Sequence, residues 1–137
     1  MSEGLQPLSP IRIAIVEDDS ILRAQLVDLL TESGQAQVVF EEASEQQAGA
    51  WLAQHPDGWD LAIVDVFIAE GNGLKLLAAH RIRLPHQRVV MLTGFATRET
   101  RMACRQLGAD AVFDKLEEID ALVTYCVQAT QGLGPRG

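Results

Sequence analysis

The stretch IRIAIVEDDS, residues 11–20, joins an almost continuous apolar run to an abrupt acidic end. A short run that does not alternate with polar residues is typical of a strand buried on both faces of a sheet. Two further runs of this kind follow, LAIVD at residues 61–65 and VVMLT at 89–93, and each ends on a polar side chain. The pattern predicts a parallel sheet with polar groups along one edge.

The segments between these runs carry apolar residues at helical spacing and polar residues that start or stop helices. Ser44 and Gln47 fit a capping box, Asn72 is a suitable N-cap, and Gly34 is a suitable helix end. Helices are predicted over residues 21–34, 44–55, 72–84, 97–107 and 117–130, and strands over 11–16, 37–40, 61–64, 89–92 and 111–113. Five strands alternating with five helices predict an α/β fold, a doubly wound (βα)5 sandwich.

Length and composition describe one acidic, folded domain. The chain has 137 residues, of which 47% are hydrophobic and 22% charged, and its formal net charge is −8. This acidic balance argues against direct binding of nucleic acid or of an anionic membrane, which requires clustered basic residues. Neither a membrane span nor a signal peptide is present, so we expect a cytoplasmic protein with a domain at 11–130, a flexible tail at 1–10 and a second tail at 131–137. Cys104 and Cys126 lack metal-site spacing and are expected to be reduced, apolar residues.

Acidic, hydroxyl and amino groups occur at the ends of four predicted strands. Glu17 and Asp18 follow the first strand, Asp65 the third, Thr93 the fourth and Lys115 the fifth. Ligands of such sheets bind beyond the carboxyl ends of the strands, where these groups are expected to converge. Neighbouring carboxylates repel unless a cation joins them, which favours a Mg²⁺ site. The alternative is that each acid is an ordinary solvated loop residue.

Four segments resemble, in order and spacing, the receiver domain of two-component response regulators. They are IAIVEDDSILR at 13–23, LAIVDVFIAEGNG at 61–73, VVMLTGFA at 89–96 and LGADAVFDK at 107–115. The resemblance covers about residues 11–130 and includes Gly73, eight residues after Asp65. It implies a flavodoxin-like, five-stranded parallel sheet of strand order 2-1-3-4-5.

The resemblance implies that Asp65 accepts a phosphoryl group from a phosphohistidine on a partner histidine kinase or phosphotransfer protein. It further implies that Asp18 and Asp65 ligate Mg²⁺, that Glu17 acts through a water, and that the backbone carbonyl of Phe67 supplies another ligand oxygen. The reaction would be phosphoryl transfer, in which the protein positions groups and neutralises charge. The chain is expected to act as a signalling protein, and as an enzyme only on its own aspartyl phosphate.

Lys115 and Thr93 would complete the site in such a domain. The resemblance implies that Lys115 pairs with the phosphoryl oxygens and that Thr93 donates its hydroxyl to them. The conformational change that follows phosphorylation would then reach the surface formed by the fourth helix, the fifth strand and the fifth helix. This surface would contact an unknown output protein or a second copy of the chain. Charged residues there could pair across a dimer or within one chain: Arg98, Arg101, Arg105, Glu117, Glu118 and Asp120.

The chain departs from the usual receiver pattern around Lys115. Most receivers have proline after this lysine, with a cis peptide bond before it, whereas Leu116 follows here and no cis bond is expected. Val112 occupies the position of the family's switch aromatic. Phe113 is one residue late, and because neighbouring strand residues face opposite sides, it is interpreted as a core side chain.

Phe67 and Phe95 occupy two positions that flank the phosphoryl group in the family. Apolar rings cannot orient a water, so the sequence favours slow hydrolysis of the aspartyl phosphate. The alternative is that the rings pack away from the site. On the first helix, Leu26, Leu29 and Leu30 are expected in the core, and Ile21 or Leu22 is a candidate kinase contact.

Two other functions remain open from the sequence. The chain could be a receiver-like interaction module without a phosphorylation cycle, although Glu17, Asp18, Asp65, Thr93 and Lys115 are all in place. It could also be a small Mg²⁺-dependent phosphatase, but such enzymes usually carry a second acid where this chain has Phe67. No effector region is expected after the fifth helix.

Overall fold

The structure is a computed structural model that describes residues 10–68 and 70–132. Five strands lie in these residues: β1 (Ile11–Val16), β2 (Ala36–Glu42), β3 (Leu61–Asp65), β4 (Arg88–Thr93) and β5 (Ala111–Asp114). They alternate with five helices: α1 (Ser20–Thr31), α2 (Glu45–Gln54), α3 (Gly73–Ala79), α4 (Arg98–Gln106) and α5 (Ile119–Gly132). All strand pairs are parallel, in the order β2-β1-β3-β4-β5, which confirms the predicted fold.

Two apolar clusters cover the two faces of the sheet. Alternate residues of β1 enter different clusters because successive strand side chains point to opposite faces. Ile13 and Ile15 pack under α1 and α5, whereas Ala14 and Val16 pack under the other three helices. Strands β1, β3 and β4 therefore need apolar residues at nearly every position, while the edge strand β2 is only half-buried.

Side-chain caps start the helices close to the strand ends. Ser44 Oγ accepts from Gln47 N at 3.2 Å and Asn72 Oδ1 from Leu74 N at 2.7 Å, so both predicted caps are confirmed. Asp19 caps α1, a role that the sequence did not suggest, by accepting from the N–H groups of Ile21 and Leu22. The cap lies three residues after the end of β1 and keeps the acidic β1–α1 turn short.

Some boundaries differ from those predicted. Strand β2 is longer, because it pairs with all of β1 from Ile11↔Ala36 to Val16↔Glu42. Helix α3 already ends at Ala79, and α5 runs over Ile119–Gly132. Among the described residues, no helix is both long and apolar enough to cross a membrane.

The prediction that Leu29 belongs to the core was wrong. Leu26 and Leu30 are buried, but Leu29 is only partly so. The buried stripe of α1 follows four-residue spacing, and Leu29 lies about 100° around the helix from Leu30. Cys104 and Cys126 are buried and form no disulfide, as expected, and burial raises the pKa of Cys126 to about 12.

Candidate functional site

The carboxyl ends of β1, β3, β4 and β5 bring the expected polar residues to one edge of the sheet. In the register, Val16 lies beside Val64, and Asp65 beside Leu92. Glu17 therefore follows a strand adjacent to that of Asp65, and Thr93 ends the strand on its other side. Glu17, Asp65 and Thr93 are all buried. The alternative that the acids are solvated loop residues is therefore wrong for Glu17 and Asp65, while Asp18 is partly exposed.

Lys115 joins the two buried carboxylates. Its Nζ lies 2.7 Å from Asp65 Oδ2 and 3.1 and 3.2 Å from the two carboxylate oxygens of Glu17. Burial lowers the pKa of Lys115, but the hydrogen bonds and charges of Asp65 and then Glu17 outweigh burial and raise it above its usual value. One ammonium group thus faces two carboxylates, which leaves a local excess of negative charge.

Glu17 is a buried carboxyl group whose ionised form is disfavoured. Burial, and to a smaller extent the charge of Asp65, raises its pKa to about 7, against the opposing effect of the Asp19 N–H and Lys115. Oε2 accepts from Asp19 N at 2.9 Å. Oε1 is buried and accepts no hydrogen bond from the described residues, since Lys115 approaches it without hydrogen-bond geometry. A buried carboxylate oxygen of this kind can accept a further hydrogen bond or bind a cation.

The acidic cluster has the composition of a metal site. One oxygen each from Glu17, Asp18 and Asp65 can lie within 4.8 Å of one another. Such an all-oxygen set suits hard divalent cations, and the unsatisfied Oε1 of Glu17 fits the same requirement. The residues present therefore fit a metal ion at this position.

The side chains of Asp65 and Thr93 each accept a hydrogen bond from the backbone N–H two residues later in the chain. Asp65 Oδ1 accepts from the N–H of Phe67 at 3.0 Å, and Thr93 Oγ1 accepts from the N–H of Phe95, also at 3.0 Å. A hydroxyl that accepts a hydrogen bond still has its own hydrogen to donate. The two side chains are thus oriented by the backbone of the loops that follow their strands.

The side chains of Phe67 and Phe95 lie on the surface. They are 59% and 69% exposed, and their rings meet edge to face with centroids 6.1 Å apart. The alternative that these rings pack away into the core is therefore wrong. Instead, the contact between the two rings joins the β3–α3 loop to the β4–α4 loop. These two loops follow the strands that end in Asp65 and Thr93.

Gly73 explains the path of the chain after Asp65. A Cβ at position 73 would lie 1.9 Å from the carbonyl oxygen of Asp65, so only glycine fits. The N–H of Gly73 donates to Val66 O at 3.0 Å. Glu45, which sequence reasoning missed, holds the same loop by accepting from Asn72 N at 2.8 Å. Spacing alone gave no signal for this contact, because Glu45 lies in a helix 27 residues away.

Arg101 was expected to pair either across a dimer or within one chain, and its contacts in the structure are of the second kind. Its guanidinium donates to the carbonyls of Ala96 at 3.1 Å and Val112 at 3.0 Å, and to Glu118 Oε1 at 2.9 Å. It thereby connects the start of α4 to β5 and to the turn before α5. No signal in the sequence distinguished Arg101 from the other arginines of this helix.

The residues near Lys115 follow their expected arrangement. Val112 is buried on one face of the sheet, while Phe113 packs against the opposite cluster and meets the ring of Tyr125 at 5.8 Å. The described residues contain no cis peptide bond, and the bond before Leu116 is therefore trans. Phe113 was interpreted as a core side chain; it is only partly buried, but it packs against the core.

Comparisons with known proteins agree with this fold. The family model described as the response regulator receiver domain matches residues 13–126. The chain is 32% identical over 100 residues to the DNA-binding transcriptional activator DevR/DosR of Mycobacterium tuberculosis, which covers 72% of this chain and 45% of that protein. It is 26% identical over 123 residues to the photosynthetic apparatus regulatory protein RegA of Rhodobacter capsulatus, which covers 90% and 65%. The chain thus spans less than two thirds of the length of these relatives.

Solved structures share the fold at lower identity. The signal receiver domain of NarL from Mycobacterium tuberculosis superposes with a TM-score of 0.79 at 23% identity, over 91% of this chain and 99% of that one. A chain from the CheX–CheY–BeF3–Mg complex of Borrelia burgdorferi gives 0.78 at 20% identity, over 90% of each. These matches support the parallel sheet and its helices.

Proposed function

This chain belongs to the response regulator receiver domain family, and on that premise we propose that Asp65 accepts a phosphoryl group from a phosphohistidine on a partner histidine kinase or phosphotransfer protein. Membership supports a phosphorylation-dependent role in two-component signalling. The observation that carries the proposal for this residue is the buried carboxylate of Asp65, held 2.7 Å from the Lys115 ammonium beside the unsatisfied oxygen of Glu17. The site therefore places a nucleophilic carboxylate beside an ammonium group and beside a cluster of oxygens that could hold a metal ion.

The transfer would follow from the arrangement of these side chains. An Asp65 carboxylate oxygen forms a bond to phosphorus, the bond from phosphorus to the histidine nitrogen breaks, and the nitrogen retains the electron pair. Lys115 would neutralise charge on the phosphoryl oxygens, and Thr93 would donate its hydroxyl hydrogen to one of them. The N–H of Phe67 orients the carboxylate for attack.

We propose Mg²⁺ as the metal of the acidic cluster. Asp18 and Asp65 would bind it directly, Glu17 would bind it through a water, and the backbone carbonyl of Phe67 would complete the protein's ligands. The donor set is all oxygen, which Mg²⁺ prefers. When bound, the ion supplies positive charge that offsets the repulsion between carboxylates and phosphoryl oxygens.

Signalling would use a pre-existing equilibrium between two states of the face formed by α4, β5 and α5. A shift from 1:99 to 99:1 needs about 5.5 kcal/mol of differential interaction. A hydrogen bond from Thr93 to a charged group supplies only about 1.5–3 kcal/mol. Lys115, the metal and a binding partner must therefore supply the rest of this free-energy difference. Arg101 links α4 to β5 and to the turn before α5, and would transmit the movement.

Exposed apolar side chains at the strand ends support a protein as the phosphodonor. Ile21 and Leu116, which follow β1 and β5, are 81% and 86% exposed. Phe67 and Phe95 follow the two strands between them and are also exposed. We therefore expect the partner to present its phosphohistidine on an apolar surface that covers these four side chains.

The face of α4, β5 and α5 would bind the output protein, or a second copy of the chain as the alternative. Met102 and Val127 on its two helices are 49% and 36% exposed. Arg101 and Glu118 pair within one chain and are already engaged without a partner copy. Sedimentation of the phosphorylated and unphosphorylated protein distinguishes a dimer from an output partner of another kind.

We also propose residues 11–130 as the extent of the receiver domain and the cytoplasm as its location. Direct contact with nucleic acid is not part of the proposal, because the net charge of −8 opposes it. Catalysis would be limited to the domain's own phosphorylation and dephosphorylation.

The test is incubation with a small-molecule phosphodonor and Mg²⁺, followed by intact mass spectrometry. We expect the wild type and Asp57→Asn, which alters an exposed acid in the loop before β3, to gain one phosphoryl group. Asp65→Asn should gain none. Modification of Asp65→Asn to the same extent as the wild type, or no modification of the wild type, would contradict the proposal and favour an interaction module without a phosphorylation cycle.

A further inference from the structure

A cavity lies at the edge of the sheet where the strands begin, away from the proposed phosphorylation site. It has a volume of about 330 Å³ and lies between the end of α2 and the loop that joins α3 to β4, residues 80–87. Trp59 and Gln87, which come just before β3 and β4, line it. Asp65 is at the other end of the five-residue strand β3, about 13 Å along the strand from its first residue. The cavity is therefore separate from the acidic site.

Hydrogen bonds fix the loop that lines the cavity. The side chain of Gln87 is buried, and its NH2 group donates to the carbonyls of Pro56 and Trp59, each at 2.9 Å. Its Oε1 accepts from the N–H of Leu84 at 3.0 Å. Gln87 thereby ties the loop after α3 to the turn after α2. A surface that is already ordered loses less conformational entropy when it binds a partner.

Two large apolar side chains of this loop are exposed beside the cavity. Ile82 and Leu84 line the cavity and are 98% and 42% exposed. The other exposed large apolar side chains of the described residues lie near the carboxyl ends of the strands or on α4 and α5. Neither surface proposed above therefore includes Ile82 and Leu84. Exposed apolar side chains grouped beside a cavity are typical of a site that contacts another molecule.

The loop is basic although the protein is acidic. Residues 71–98 contain five lysine and arginine residues and no acid, so they carry +5 of the total of −8, and the rest of the chain carries −13. Arg83 is paired with Asp110 at 3.0 Å, but Arg81 is exposed and forms no ion pair with the residues that the structure describes. The exposed Asp57 lies in the turn after α2, on the other side of the cavity. The rim therefore favours negative charge beside the α3–β4 loop.

We propose that the cavity and its basic loop bind an acidic segment of a partner protein, which inserts one apolar side chain. Ile82 and Leu84 would contact the inserted side chain, as in interfaces where an apolar anchor fills a pocket. Arg81 would pair with a carboxylate of the segment and so select acidic partners. The inference goes beyond the proposed function and does not depend on phosphorylation of Asp65.

The experiment uses a short synthetic peptide of glutamate and serine with one central leucine. It is titrated into the isotope-labelled protein, without phosphodonor or metal, and amide chemical shifts are followed. We expect shifts at Trp59 and in residues 80–87. The affinity should be at least about tenfold higher than for two control peptides, one with lysine in place of glutamate and one with alanine in place of leucine. Equal affinity for the three peptides, or shifts confined to other residues, would overturn the inference.

Variants at exposed positions test the surface without disturbing the core. Arg81→Glu and Ile82→Ser should each weaken binding of the leucine peptide at least about tenfold. Arg98→Glu makes the same change of charge at an exposed residue of α4 and should bind like the wild type. Equal loss in both glutamate variants would show that only net charge matters and would overturn the inference.

Two further results would assign the cavity to another occupant. Self-association of the wild type that Ile82→Ser abolishes, measured by sedimentation, would show that a second copy of the chain binds there. Tighter binding of a DNA oligonucleotide than of the acidic peptide would show that the basic loop recognises phosphate. Either result would overturn the inference and leave the proposed role of Asp65 unaffected.

Discussion

The ammonium group of Lys115 lies 2.7 Å from Oδ2 of Asp65, and this contact joins residues 50 positions apart. The lysine side chain is 20% exposed, whereas those of Asp65 and Glu17 are 1% and 0% exposed. Lys115 is therefore both a part of the proposed site and the main compensation for two buried charges. Its two roles can be separated by adding a metal.

Replacing Lys115 by methionine should destabilise the metal-free protein. The variant leaves two carboxylates without their cation, and the free energy of unfolding should fall by about 1–3 kcal/mol. Mg²⁺ should restore part of this loss, because a divalent cation can compensate the same charges. Urea unfolding with and without Mg²⁺ measures both effects. Lys75→Met, on an exposed position of α3, is the control. Equal stability of the two variants would contradict the prediction.

Replacing Glu17 by glutamine should have the opposite effect on stability. The substitution removes one of two buried like charges, so the metal-free protein should gain on the order of 1 kcal/mol at about pH 8. Metal affinity should fall, since the neutral amide is a weaker ligand for a hard cation. Thermal unfolding and titration calorimetry with Mg²⁺ test the two expectations. A variant that is less stable and binds Mg²⁺ as tightly as the wild type would refute both.

Asp60 should make stability depend on pH at the opposite end of the sheet. It accepts from Arg12 through two side-chain bonds and one backbone bond of 2.8–3.1 Å, and from His86 at 3.0 Å. Burial raises the pKa of Asp60, but these contacts outweigh burial and hold it below its usual 3.8. Its contribution is therefore complete above that pH and is lost as pH falls through the folded-state pKa.

Asp60→Asn should accordingly lower the free energy of unfolding by about 1–3 kcal/mol at neutral pH. The difference from the wild type should shrink in acid. Urea unfolding at a series of pH values measures it, with the exposed Asp57→Asn as the control. A difference that persists unchanged well below the usual pKa of the carboxyl would show that the charge of Asp60 is not responsible.

Gly73 should tolerate no side chain. Alanine would place Cβ 1.9 Å from the Asp65 carbonyl oxygen, which requires the end of β3 or the start of α3 to move. We expect a loss of at least about 1–3 kcal/mol in unfolding free energy and slower phosphorylation of Asp65. Gly94→Ala is the matched control for stability, because a Cβ there would meet nothing within 4 Å. Similar stability of the two alanine variants would contradict this prediction.

The fold and the positions of the acidic residues could be predicted because they depend on local patterns. Continuous apolar runs ending in Glu17, Asp65 and Thr93 indicate buried parallel strands whose polar ends share one edge. Motif order and spacing then identified the family. Leu29 shows the limit of such patterns, since apolar character alone does not say which side of a helix meets the sheet.

Side-chain partners required the tertiary structure. The contact of Lys115 with Asp65, the three bonds of Arg101 and the meeting of the Phe67 and Phe95 rings each join separate elements. Such contacts depend on loop paths and rotamers, which periodicity does not report. Sequence therefore sufficed to place the acids at one edge of a parallel sheet. The packing of the loops decided which of them are buried and which cation they meet.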